Sequence, residues 1–432
     1  MGHQNGRVPA HRVVIVGGGF GGLACARALD GSEADVLLLD RHNYHLFTPL
    51  LYQVATSLLD PSDIAYPLRR AFRKSRNVRF RQAMVTGVDF EQHVVRTHVG
   101  DEIPYESLVI ATGGVNNYFG NAPLAEHSIG LKTLPEAMRL RNHVLSCLER
   151  AAQTKDPSER KTWLTFVVVG GGPTGVEYAG ALSELLDIVL GTDYPELDRT
   201  DATITLVEGL DRLLGAFHPR LGRYAQQTLR RFGIDVRLRT LVEKADDESV
   251  TLSSGEHLAA KTVVWSAGVR PWDPLPDDTP RKRSKRLDAD ERLRLKGQED
   301  VFVIGDAAAV QTPRGELPML SPPAMQEGRY VAHAIREQLA GKDVRKPFRY
   351  LDKGTMATIG RHAAVADVRG VKLRGFLGWL TWLFVHIYYL IGFRNRMAVL
   401  ASWAWNYLVR DRPIRLIVRG EIDPVAEQTD PD

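Results

Sequence analysis

Two glycine triplets carry the chemistry that can be read from this chain. Gly17-x-Gly19-x-x-Gly22 and Gly170-x-Gly172-x-x-Gly175 each follow an apolar β-branched run, at 13–16 and 164–169, and each opens a helix of small residues. In such a turn the first glycine bends the chain. The second lets the backbone approach a pyrophosphate on the helix N-terminus, and the third lets that helix pack close to its strand. An acid at the end of the next strand then holds a ribose hydroxyl. Asp40 stands eighteen residues past Gly22, and Glu208 thirty-three past Gly175, with an insertion at 187–199 supplying the extra length. The full pattern occurs twice, which predicts two bound dinucleotides. A carboxylate at Glu208 favours a free 2′-hydroxyl and repels a 2′-phosphate, so NADH is expected over NADPH, with Arg212 close enough to soften the choice.

Other chemistries are argued against. Cys25 and Cys147 are the only cysteines, far apart and without a CxxC pair, so neither a dithiol centre nor a metal site is expected. A net charge of +4 on 432 residues makes no case for nucleic acid. The basic run at 281–286 reads as a solvated loop. Residues 1–10 read as a loose tail without the apolar region of a secretory signal.

The elements that must hold these residues are those of an α/β protein with two nested Rossmann-like dinucleotide-binding domains. The run 107–113, ending Ala111-Thr112-Gly113, returns the chain to the first nucleotide. The run 263–269, with Ala267 and Gly268, closes the second. Residues 78–90 and 93–99 read as strands of a small antiparallel insertion. The run 301–306 ends in Gly305-Asp306, which places a carboxylate at a helix start. Between Asp40 and Gln53 lies an aromatic, proline-punctuated loop. It either lines the reacting part of a cofactor or simply packs on the surface. Glu177 opens the second helix, where a carboxylate is favoured by the dipole.

Two nucleotide folds with Ala-Thr-Gly and Gly-Asp returns resemble the flavoprotein reductases that bind two dinucleotides, over residues 11 to about 345. Disulfide reductases and sulfide:quinone reductases use cysteines that are missing here. What remains is similar to the type II NADH:quinone oxidoreductases, and three stretches carry the match. They are Tyr44-His-Leu-Phe-Thr-Pro-Leu-Leu-Tyr52, Gly172-Pro-Thr-Gly-Val-Glu177, and Tyr350-Leu-Asp-Lys-Gly-Thr-Met-Ala-Thr-Ile-Gly360 together with 386–396. The resemblance implies non-covalent FAD at Gly17, Gly19, Phe20, Gly21, Gly22, Asp40, Arg41, Thr48, Val85, Ala111, Thr112, Gly113, Gly305, Asp306 and Ala324, with Asp306 accepting from a ribityl hydroxyl. It implies NADH at Gly170, Gly172, Gly175, Glu177, Glu208, Ala267 and Gly268. The FAD domain would comprise 11–125 and 276–350, the NADH domain 160–275, and a quinone-side, membrane-anchoring segment 351–432. Glu177 takes the family's nicotinamide-side position, and Gln326 that of the second glutamine in Ala-Gln-x-x-x-Gln. Pro322 replaces the first, leaving one amide for a quinone carbonyl. The implied activity is hydride transfer from NADH to FAD, then two electrons to a membrane quinone, without proton pumping. The competing reading is a soluble NADH-dependent flavin reductase acting on a small acceptor or carrier protein.

The C-terminal segment bears on location. Residues 375–393 are uncharged and rich in Trp, Phe, Leu and Ile, close to the ~20 residues that span a bilayer. Phe376, Trp379, Leu380, Leu383, Phe384, Ile387, Leu390 and Ile391 recur at helical spacing. Arg394 and Arg396 follow, then a shorter apolar run at 397–409, then Arg410, Arg412, Arg415 and Arg419. Apolar faces bordered by arginine read as helices lying in the interface of an anionic membrane. A buried core helix, a homodimer helix and a spanning helix remain the alternatives. With the family resemblance, the interfacial reading puts the protein on the cytoplasmic face of the cell membrane.

Overall fold

The chain is described here from a computed structural model, which covers residues 11–313, 315–342 and 346–418. The tail at 1–10 and Arg419 lie outside the described residues. Two five-stranded parallel sheets organise the protein. The first runs Val301–Val303, Ser107–Ile110, Arg12–Val16, Asp35–Asp40, Val78–Gln82 from edge to edge. The second runs Ile129–Gly130, Thr262–Trp265, Thr165–Val169, Thr203–Glu208, Asp235–Leu238. Every residue of Thr165–Val169 is buried, as expected of a parallel strand covered on both faces. In each sheet the glycine triplet follows the central strand, so both nucleotide turns lie at the carboxyl edge where the strand order reverses.

Each sheet carries a small antiparallel hairpin sheet. The first comprises Val85–Asp89, Val94–Thr97 and Glu102–Pro104; the second comprises Val242–Ala245, Ser249–Leu252 and His257–Ala259. This corrects the reading of 78–90 as one antiparallel element. Val78–Gln82 is the edge strand of the first parallel sheet, in register with Asp40, and only the residues from Val85 on belong to the insertion. Asp306 is also differently placed: it sits in a single 3₁₀ turn, Gly305–Ala307, and the long helix starts only at Ser321.

The C-terminal region begins with a three-stranded antiparallel sheet, Thr355–Gly360, Ala363–Val368 and Val371–Arg374. It is sandwiched between the second fingerprint helix, Pro173–Val189, and an apolar helix, Gly375–Tyr389. The close approach depends on one residue: a Cβ on Gly180 would lie 1.8 Å from the Ile359 carbonyl oxygen. A last helix, Phe393–Val409, is tied to the first unit where the Asn395 amide donates to the Ser62 and Asp63 carbonyls, both at 2.9 Å.

No helix among the described residues is long and apolar enough to cross a membrane. Gly375–Tyr389 has 15 residues, about 22 Å at 1.5 Å per residue, short of the ~30 Å hydrocarbon core. It buries Gly378, Trp382 and His386, one side of the helix at four-residue spacing. On its outer side Leu377, Leu380, Phe384 and Tyr388 are exposed, with Phe384 at 74%. Two of the arginines assigned to a membrane face turn out otherwise. Arg412 is 1% exposed and paired with Glu184 at 2.8 Å, and Arg415 pairs with Asp193 and Asp411.

Candidate active site

The two acids of the fingerprints make the same bonds. Asp40 accepts from the Gly18 amide (2.5 Å) and the His42 amide (2.7 Å); Glu208 accepts from the Gly171 amide (2.5 Å) and the Leu210 amide (2.7 Å). Each carboxylate thus ties its strand end to its own glycine turn. Burial pushes the Asp40 carboxyl up, against the two amides that favour its charged form. Arg212 donates to the Gly215 carbonyl at 3.1 Å. The glycines match as well. A Cβ on Gly22 would meet the Gly17 oxygen at 1.8 Å, and one on Gly175 the Gly170 oxygen at 1.9 Å, while Gly19 and Gly172 face open space. That open backbone above a helix N-terminus fits a pyrophosphate in both units.

A cavity of about 780 Å³ runs from the first turn toward the second. Of the residues expected to hold FAD, Gly17, Gly19, Phe20, Gly21, Asp40, Arg41, Thr48, Val85, Ala111, Thr112, Gly113, Gly305, Asp306 and Ala324 line it. Gly22 serves from behind, in the packing of the turn. Of the NADH set, Glu177 and Gly268 line the same cavity, together with Pro173, Thr174 and Ser266. Gly170, Gly172, Gly175, Glu208 and Ala267 do not. The loop after Asp40 is a wall rather than surface packing, with Tyr44, Leu46, Phe47, Thr48, Pro49, Leu51 and Tyr52 all facing the cavity.

Lys132 and Trp272 line the cavity too, without a local signal in the sequence. Lys132 pairs with Asp306 at 3.1 Å. Arg41 lies over the Trp272 ring. Arg286 corrects the reading of its basic run as solvated: it is 4% exposed, and its guanidinium donates to the carbonyls of Gly305, Asp306 and Leu317. Glu327 accepts from the Gly305 amide, and burial pushes its carboxyl up to about 7. The Gly-Asp turn is therefore clamped from two sides. His45, held by the Gly18 carbonyl, and His386, held by the Trp382 carbonyl, are buried, and burial lowers both to about 4, so both are neutral at pH 7.

Glu177 lies in the second turn of its helix, not the first, so a dipole at the helix end does not account for it. One of its oxygens, Oε1, accepts from the Thr358 amide at 3.1 Å. Burial pushes its carboxyl up to about 8, against the Thr358 amide and the neighbouring Trp382 indole, which favour the charged form. At neutral pH it is mostly the neutral acid, and Oε2, which takes no bond from the Thr358 amide, is the oxygen that can carry the proton. Gln326 is the other correction. Its amide donates to the Leu351 carbonyl and accepts from the Leu351 amide, both at 3.0 Å, and it does not line the cavity. Pro322, Lys353, His386 and Tyr389 line the end of the cavity beside the C-terminal region.

Two dinucleotide folds opening on one cavity, with no dithiol beside it, define a flavoprotein reductase that does not work through cysteine. Both thiols are buried, and burial pushes Cys25 to about 12 and Cys147 to about 11. The sequence matches the pyridine nucleotide-disulphide oxidoreductase family over residues 11–328 and the NDH2 C-terminal domain over 353–411. Type II NADH:quinone oxidoreductase Ndh of Mycobacterium tuberculosis is 39% identical over 413 residues, 92% of this chain and 88% of that protein. NdhA of the same organism is 38% identical over 419 residues, 93% and 88% of the two chains. The structure of NDH2 from Plasmodium falciparum in complex with NADH matches with a TM-score of 0.86, over 95% of this chain and all of that one, at 20% identity, a likeness of fold. The chain belongs to the type II NADH:quinone oxidoreductases.

Proposed function

We propose that this protein oxidises NADH and reduces a membrane quinone through bound FAD, working at a membrane surface. The observation that carries the reading is the single cavity lined by the first glycine turn, by Pro173 and Thr174 of the second, and by residues of the C-terminal region. FAD, when bound, takes a hydride from NADH and passes two electrons to the quinone. The chain supplies the rest. Residues 11–125 and 276–350 hold FAD, with Asp40 on its ribose and the Lys132–Asp306 pair beside the Gly-Asp turn. Residues 160–275 hold NADH, with Glu208 reading its ribose. Glu177 holds a proton on Oε2 at the cavity wall for the reduced quinone. Phe47, Tyr52 and His386 give the reacting end an apolar, water-poor lining.

The exposed apolar side of Gly375–Tyr389 supports a membrane surface as the place of work. Leu377, Leu380 and Phe384 are candidates for lipid contact, each worth about 1.5–3 kcal/mol when buried. Arg374, Arg394, Arg396 and Arg410 are exposed at the ends of the two C-terminal helices and suit anionic headgroups. A quinone, whose tail partitions into lipid, would then reach the cavity from that side. The test is steady-state NADH oxidation by the purified protein with a short-chain quinone against a water-soluble dye. The account expects quinol to form, with acid-released flavin proving to be FAD. Dye reduction without quinone reduction would favour the soluble reductase.

A further inference from the structure

Forming quinol from quinone takes up two electrons and two protons. A hydride from NADH supplies both electrons and one proton, so the second proton must reach the site from solvent. A chamber of about 70 Å³ lies directly behind Glu177. Glu177 and Tyr52 line both this chamber and the large cavity, and so form the wall between them. Glu184, Arg361, Asn406 and Arg412 line the chamber together with the aromatic rings of Trp379, Trp403 and Tyr407. We infer that this chamber holds water and is the path by which Glu177 is reprotonated from solvent, with Glu184 as the relay group at its outer end. The inference rests on Glu177 as the proton donor proposed above.

Three observations carry it. The chamber has room for two or more waters, and its walls offer the several polar partners that buried water needs. Among the described residues, Arg412 Nε and Arg361 Nε are buried without a hydrogen-bond partner. Such donors are normally satisfied by protein or water. Finally, Glu184 sits between inside and outside. Its side chain is 24% exposed, it pairs with the buried Arg412 at 2.8 Å, and it accepts from the Arg361 amide. The charged and titratable groups lining the two cavities that Glu177 separates include Tyr52 on the Leu51–Ala55 helix, Glu184 on its own helix, Lys353 before the C-terminal sheet, Arg361 after its first strand, His386 and Tyr389 on the apolar helix, Tyr407 on the last helix and Arg412 beyond it. His386 is held neutral and the Tyr52 hydroxyl is pushed well up by burial, so Glu184 is the carboxylate left to pass a proton inward. In the step, Glu177 Oε2 gives its proton to the reduced quinone's oxygen, a chamber water reprotonates Glu177, and solvent replaces that proton by way of Glu184.

Ala181 lines the chamber without charge or polar side chain, so Ala181→Leu should displace the water and leave the charges in place. Quinone-dependent turnover should fall about tenfold with a larger solvent deuterium isotope effect, while reduction of the flavin by NADH keeps its rate. Ala181→Ser should behave as the parent. Glu184→Gln should also slow quinone turnover, with the rate rising as the concentration of a weak-acid buffer increases. A high-resolution crystal structure of the parent should show ordered waters within hydrogen-bond distance of Arg412 Nε. An empty chamber, or parent turnover and isotope effect in Ala181→Leu and Glu184→Gln alongside a slowed Glu177→Gln, would overturn the relay alone. If Glu177→Gln itself turned over quinone at the parent rate, the reading beneath it would fail. Misfolding of Ala181→Leu, seen as lost flavin, leaves Glu184→Gln and the crystal structure to decide.

Discussion

Glu177 is the residue whose environment says most. Its carboxyl moves from an ordinary 4.5 to about 8 in the folded chain. Between those values the folded protein holds a proton that the unfolded chain has released, so stability falls as pH rises through the window, and the loss is complete above about pH 8. Glu177→Gln has no such proton to lose and keeps an acceptor for the Thr358 amide. Its Tm relative to the parent should therefore rise between about pH 5 and pH 9, as scanning calorimetry would read. Its quinone turnover should fall by about a hundredfold if the acid serves as proton donor. A Tm difference that ignores pH would show that Glu177 titrates normally. Glu208 yields a second test at this scale. Glu208→Gln should raise the NADPH to NADH ratio of kcat/KM by about tenfold or more, since one charge repulsion is removed; an unchanged ratio would remove Glu208 from the ribose. These acids were legible because each belongs to a recognisable pattern of strand, glycine triplet and helix. Arg286, Glu184 and Arg412 were not. Glu184 and Arg412 find each other across 228 residues, and a basic run such as that holding Arg286 has the same composition solvated or buried.

Among the elements, the two central strands and their helices were readable because burial on both faces leaves an unbroken apolar run. Val78–Gln82 was misread because an edge strand alternates: Val78 and Phe80 are buried while Arg79, Arg81 and Gln82 are exposed, the pattern of a half-buried antiparallel strand. The helix Gly375–Tyr389 was recognised as apolar, but which side faces inward was not. Its inner side is Gly378, Trp382 and His386, chosen by shape: a Cβ on Gly378 would meet the Ala364 oxygen at 2.7 Å, and Trp382 stacks on His386 at 4.0 Å. Truncation before this helix would strip Trp382 from Glu177, so point changes are the better probe. Replacing Leu377, Leu380 and Phe384 with Asn should shift the protein from vesicles of anionic lipid to the supernatant in a sedimentation assay. Each lost side chain costs about 1.5–3 kcal/mol of adsorption. Dye reduction should be retained. A triple variant that still pellets would place the binding surface elsewhere.

For the whole molecule, the sequence implied two nucleotide folds but not how the C-terminal region packs against them. That depends on Gly180, which brings the C-terminal sheet against the second fingerprint helix, and on Trp403, whose indole donates to Gln53 at 2.7 Å and joins the last helix to the wall loop. Because the same cavity reaches both turns and the C-terminal region, electrons from NADH should leave only through the flavin. The flavin's visible absorbance, followed without oxygen in a double-mixing stopped-flow experiment, tests this directly. NADH should bleach the band, and quinone added next should restore it with one quinol formed per NADH consumed. Reduced flavin that persists in the presence of quinone, yet is reoxidised by a soluble acceptor, would contradict the account.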